Sequence, residues 1–159
     1  MSLNNELGLS HPIATTGHEA LLNIYFTAVC IRKQAGDFLR PYGLTDVQIN
    51  VLMLLSHQAD NGEGLTQSRL SEMMLVNRAN VTGLINRLER DGLVTRTTDP
   101  ADRRSNVIRL TRRGQKLLEK VEPDYGKEVA RIMDALTPTE QRRLIGLLER
   151  VRATIYNVE

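Results

Sequence analysis

The stretch RLERDGLVTRTTDPADRRSNVIRLTRRG, residues 87–114, decides the fold. It begins with the end of an amphipathic helix and closes that helix at Gly92, just past its last turn, where a left-handed backbone is wanted. The hydrophobic period then changes from helical to alternating. LVTRTT (93–98) and SNVIRL (105–110) are short β-prone runs separated by DPADRR. Together they predict a hairpin with an extended, charged tip, followed by a helix from Arg112 that Thr111 caps. The tip's two aspartates and two arginines either neutralise one another or face something negative, and only the neighbouring elements can decide which.

Upstream, RANVTGLINRLER (78–90) carries Val81, Leu84, Ile85 and Leu88 at i, i+3, i+4 and i+7, an amphipathic helix with Asn77 as its cap. Counting 100° per residue, the face opposite the stripe holds Ala79, Thr82, Gly83, Asn86 and Arg90, with Asn80 and Arg87 on one flank. LTQSRLSEMML (65–75) predicts a short helix capped by Thr66, with Leu70, Met73 and Met74 inward. LTDVQINVLMLLSH (44–57) opens with a capping box of Thr45 and Gln48 and buries Val47, Val51, Leu52 and Leu55. Helix, short turn, helix, hairpin is the order of a helix-turn-helix with a β-wing, whose second helix enters the major groove.

The flanks are helical. Residues 1–18 form a polar leader, expected to be disordered. A helical repeat over residues 19–40 stops at Pro41 and Gly43. The helix from Arg112 carries Leu117, Leu118 and Val121, and Pro123 either kinks it or splits it. The last helix opens with Thr137 as cap, Pro138 at the first position and Glu140 completing a capping box; Leu144, Leu147, Leu148, Val151 and Ile155 form its stripe. The expected fold is therefore mainly α with a small β-hairpin wing, an α+β winged helix-turn-helix. Residues 44–114 are its DNA-binding domain. Residues 19–43 and 115–159 are dimerisation helices, because their apolar faces lie outside the helix-turn-helix core and need a partner.

Charge is distributed to match. The net charge is +2, yet residues 66–116 hold eleven basic and five acidic side chains, ten of the eleven being arginine, while the remainder holds ten and fourteen. A basic middle between acidic ends suits a polyanion. The 159 residues are 41% hydrophobic and 25% charged, which is globular composition. No apolar run reaches the roughly 18 residues of a membrane span, so no membrane partner is expected. A single cysteine excludes an internal disulfide and makes a reducing cytoplasm the simplest compartment.

An enzyme is the first rival class. His11, His18 and His57 form no ligand motif, and there is neither a phosphate-cradling glycine loop nor a nucleophile elbow. Neither a metal nor a cofactor is expected. The second rival is a winged-helix interaction module without DNA binding, against which the basic wing argues.

For DNA, the residue types on the helix of residues 78–90 are suitable. Asparagine pairs with adenine in a bidentate manner, arginine with guanine, and threonine or alanine touches a thymine methyl. The candidate recognition set is Asn77, Arg78, Ala79, Asn80, Thr82, Gly83, Asn86 and Arg87. An exposed mid-helix glycine costs about 1 kcal/mol against alanine, and close approach to DNA would explain Gly83. Thr66, Gln67 and Ser68 open the preceding helix, where hydroxyls and backbone N–H groups suit phosphate. Arg112 and Arg113 are either phosphate contacts or a solvated pair.

LTDVQINVLMLL, LTQSRLSEMMLVNRANVTGLINRLERDGLV and the wing segment together resemble the MarR family of bacterial transcription regulators, at motif level over residues 44–114. The helix end, Gly92, wing acids, wing arginines and Leu110-Thr111-x-x-Gly114 all occur in register. The resemblance implies a homodimer bound to a near-palindromic operator in double-stranded DNA, more often as repressor than activator. It places Asp102, Arg103, Arg104 and Ser105 as the DNA-binding residues of the wing, with Arg104 the wing-tip arginine that enters the minor groove, Arg103 on phosphate and the acids shaping the tip. It also implies release by a small lipophilic or phenolic anion; the pocket is unknown, with Tyr25, Arg32 and residues 47–55 lining the expected region. Some members sense peroxides through a cysteine near the start of the first long helix, where this chain has Leu21. Cys30 lies further along, where burial as a small hydrophobe competes with a redox-sensing role.

Overall fold

The computed structural model describes residues 2–59, 63–74, 78–99, 102 and 105–156, and divides into two compact units, Met1–Gln115 and Lys116–Glu159. The first unit contains α1 (Leu3–Glu6), α2 (Thr16–Leu39), a 3₁₀ turn at Arg40–Tyr42, α3 (Asp46–His57), β1 (Leu65–Thr66), α4 (Gln67–Met73), α5 (Arg78–Arg90), β2 (Val94–Thr98) and β3 (Asn106–Leu110). Helix α6 (Arg112–Met133) starts there and continues into the second unit, which also holds α7 (Pro138–Tyr156).

Local chemistry sets the boundaries. The Thr15 hydroxyl accepts from the backbone N–H of His18 and starts α2 at Thr16, three residues earlier than the apolar repeat suggests. The leader is not wholly irregular: α1 forms within it, because Leu3 finds a buried position. Pro41 sits in the 3₁₀ turn after α2, and Gly43 at φ 69° reverses the chain. Thr45 and Gln48 exchange both capping-box bonds at the start of α3. At α7 the Thr137 hydroxyl and backbone N–H both donate to the Glu140 carboxylate, which holds that carboxyl below its ordinary value. Pro123 does not split α6, which runs through it as one helix.

The wing is a three-stranded antiparallel sheet in the order β1-β3-β2. Thr98 pairs with Asn106 at its tip and Val94 with Leu110 at its base. The third strand, β1, is the surprise: Leu65 pairs with Ile108 and Thr66 with Val107. Two residues carry no alternation, so no sequence period marks it. Gly64 makes the approach possible, since a Cβ there would lie 2.3 Å from the Ile108 carbonyl oxygen, and its φ is +86°.

The core of the first unit is the helix-turn-helix itself. Val51, Leu52, Leu70, Val81, Ile85, Leu88 and Ile108 are essentially inaccessible to solvent. Each contributes about 1.5–3 kcal/mol by leaving water. The α3 stripe is shifted from its expected place: Ile49 is buried and Val47 only half-buried. Met73 and Met74 are also half-buried, because they line a surface cleft instead of the core. Outside this core the picture reverses. Helix α2 has 24 residues and buries only Leu39. Apolar side chains of α7, among them Ile145, Leu147, Val151 and Ile155, are exposed along that helix.

Candidate nucleic-acid interface

The α5 helix has two unlike faces. Val81, Leu84, Ile85 and Leu88 are buried, and Ala79, Asn80, Gly83, Asn86, Arg87 and Arg90 are exposed. This is the face that periodicity assigns to DNA. Among the described residues nothing lies within 4 Å of where a Cβ on Gly83 would sit, so no packing demand from them explains the glycine. Arg90 reaches the carboxylate of Asp91 at 3.5 Å. Asn77 lies outside the described residues, as does the side chain of Arg78, which begins α5.

Two polar contacts modify the expected roles. Thr82 is half-buried, and its hydroxyl accepts a hydrogen bond from Gln67 Nε2, which ties the start of α4 to the middle of α5. Gln67, expected on phosphate, is thus engaged within the chain, while Thr66 and Ser68 remain half-buried beside it. The Thr66 hydroxyl accepts from the backbone N–H of Arg69, so it caps α4 as expected. The second contact concerns Asn86. Its Oδ1 accepts from Arg96 Nη2, and the same guanidinium lies 3.5 Å from the Glu89 carboxylate. The strand's alternation carries the signal for this contact: in VTRTT, Arg96 shares the inward face of Val94, two residues earlier. A half-buried arginine there needs partners, and α5 supplies them.

The junction between recognition helix, wing and α6 is compact. Leu93 N–H donates to the Leu88 carbonyl and Gly92 N–H to that of Glu89, with Gly92 at φ 69° as the reading of the helix end requires. The Thr111 hydroxyl donates to the Gly92 carbonyl at 2.7 Å and accepts from Gly114 N–H at 2.9 Å. A Cβ on Gly114 would lie 2.1 Å from the Leu93 carbonyl oxygen. The Leu-Thr-x-x-Gly motif is therefore a steric and hydrogen-bonded weld that fixes the wing's base against the helix.

At the tip, Asp99 N–H donates to the Ser105 carbonyl and Ser105 N–H to the Asp102 carbonyl, both near 2.9 Å or shorter. Asp102 is exposed and Ser105 half-buried. Arg103 and Arg104 lie outside the described residues.

Elsewhere in the first unit, Arg32 forms an ion pair with Asp46 at 3.3 Å, and Tyr25 is 72% exposed. Val47, Asn50, Met53 and Leu54 join Met73 and Met74 around an open cleft of about 470 Å³. Only part of the region expected to hold an effector is thus brought together. Cys30 is exposed on α2, not buried.

Comparison with known proteins agrees with this geometry. A family model described as MarR family matches residues 42–105. The uncharacterised HTH-type transcriptional regulator YkoM of Bacillus subtilis is 36% identical over 111 residues, covering 70% of each chain. The HTH-type transcriptional repressor YetL of the same organism is 28% identical over 131 residues, 80% of this chain and 77% of its own. Among solved structures, the M. tuberculosis transcriptional regulator MOSR in complex with DNA has a TM-score of 0.69 at 27% identity, covering 85% of this chain and 97% of that one. The wing, the helix-turn-helix and these relatives converge, and the chain belongs to the MarR family of transcriptional regulators, not to an enzyme family.

Proposed function

We propose that this chain is a repressor that binds a near-palindromic operator as a homodimer, in the cytoplasm, with α5 in the major groove and the tip of residues 99–105 against the adjacent minor groove. The observation that carries this is the α5 face, where Ala79, Asn80, Gly83, Asn86 and Arg87 are exposed while the stripe of Val81, Leu84, Ile85 and Leu88 is buried. Arg104 enters the minor groove, where narrow-groove potential attracts arginine, and Arg103, Thr66 and Ser68 contact phosphate. The repressor sense is supported by the name of YetL, and DNA binding by the MOSR complex.

Dimerisation is supported by the apolar faces that α2 and α7 each expose, which a second copy would cover. Release by a small lipophilic or phenolic anion acts by favouring a lobe spacing that does not fit the operator. The methionine-lined cleft beside residues 47–54 is a described surface of suitable apolar character for it. Selection of bound DNA from a random library tests the proposal: an inverted repeat is expected, and Arg104→Ala should bind it far more weakly while folding normally. Undiminished affinity in that variant would refute the wing assignment.

A further inference from the structure

Arg96 sits on β2, outside the row of residues that faces DNA, yet its guanidinium is turned onto α5. Its side chain is only 22% exposed. Nη2 donates to Asn86 Oδ1, Glu89 holds the guanidinium from one turn further along at 3.5 Å, and Nε is buried with no acceptor among the described residues. A buried donor left unmade costs stability, so packing alone is a poor reason for this arrangement.

Its chemical consequence concerns Asn86. A guanidinium has five N–H donors and no acceptor. It can therefore hold an asparagine amide in one sense only, by the oxygen. The amide is planar, so fixing Oδ1 on Arg96 directs Nδ2 away from it, and on an exposed residue of α5 that leaves two N–H donors as what the side chain presents. An unrestrained asparagine reads adenine by using both ends, donating to N7 and accepting from N6. Here one of the two lone pairs of Oδ1 is already engaged by Arg96, and the amide cannot turn over to present its oxygen in place of Nδ2.

We propose that Arg96 is a specificity-setting positioning residue: it fixes the sense of the Asn86 amide with Nδ2 presented, so that Asn86 favours bases offering a major-groove acceptor and rejects cytosine. Guanine offers O6 and N7, thymine O4 and adenine N7, whereas cytosine offers only its amino donor. Glu89 steadies the guanidinium and never meets a base. The proposal rests on α5 being the recognition helix, and its test separates the two ideas.

Wild type, Asn86→Ala, Arg96→Met and the double variant are each used to select bound DNA from a randomised library. In the wild type one position per half-site should disfavour cytosine by roughly tenfold, the scale of a good base contact. Asn86→Ala should flatten that position, Arg96→Met should relax the rejection of cytosine by letting the amide present its oxygen, and the double variant should match Asn86→Ala alone. A uniform loss of affinity in Arg96→Met, with the base order unchanged, would make Arg96 merely structural and overturn the proposal. If Asn86→Ala flattens no position, the recognition-helix reading fails and the proposal with it. A second measurement needs no DNA: the Asn86 side-chain amide should be rigid by NMR relaxation in the folded wild type and mobile in Arg96→Met. Equal mobility in both would also overturn the lock.

Discussion

Replacing Gly83 by alanine should move stability and DNA affinity in opposite directions. Gly83 lies in the interior of α5, and a Cβ there meets nothing within 4 Å among the described residues. Alanine is favoured over glycine in a helix interior by about 1 kcal/mol, through a smaller loss of backbone freedom on folding. With no clash to offset the gain, the variant should melt about 2–4 °C higher, the shift expected at this chain size. The same methyl stands on the face proposed to enter the groove. If the backbone approaches DNA closely there, the methyl must displace a base edge or tilt the helix. Overpacking of that kind costs about 1–3 kcal/mol, equivalent to a loss of roughly 5- to 150-fold in affinity. Thermal unfolding by circular dichroism and anisotropy titration of a labelled operator measure the two effects on one preparation. Higher stability with undiminished affinity would refute close approach at Gly83, and lower stability would refute the open space around it.

Gly114→Ala should do the reverse, destabilising the chain because its Cβ would overlap the Leu93 carbonyl oxygen at 2.1 Å. Urea unfolding should show a loss of at least about 1–3 kcal/mol, and an unchanged midpoint would contradict the weld at the wing base. Leu147→Glu places a charge on the exposed apolar face of α7; light scattering should report half the wild-type mass with helicity retained. A wild type that is already monomeric at micromolar concentration would refute the dimer.

Much of this architecture is written in periodicity. Val81, Leu84, Ile85 and Leu88 mark the buried side of α5 without reference to anything distant, and Gly92 marks its end. The wing follows because the period changes at Leu93 and returns at Thr111. What periodicity does not carry is pairing between elements. Strand β1 is two residues long and exists because Gly64 lets Leu65 and Thr66 reach β3. The Gln67–Thr82 and Arg96–Asn86 contacts join residues 15 and 10 apart, and each engages within the chain a polar group whose partner no local pattern announces. At Cys30 the sequence leaves burial and a redox role open; the residue is exposed, on a helix whose one buried residue is Leu39. Local patterns record faces, whereas a side chain's partner depends on how the faces meet.

The most direct test of DNA binding through this interface is the salt dependence of affinity for a selected operator. Each phosphate neutralised by a cationic contact adds about −0.9 to the slope of log Kobs against log salt on B-form DNA. A dimer using both wings and both α4–α5 pairs should make roughly 6–10 such contacts, and affinity should then fall about 10³- to 10⁵-fold between 50 and 200 mM salt. A slope of −5 or steeper, made shallower by Arg104→Ala, is the predicted result. Affinity that scarcely changes with salt would contradict it and leave the fold as an interaction module.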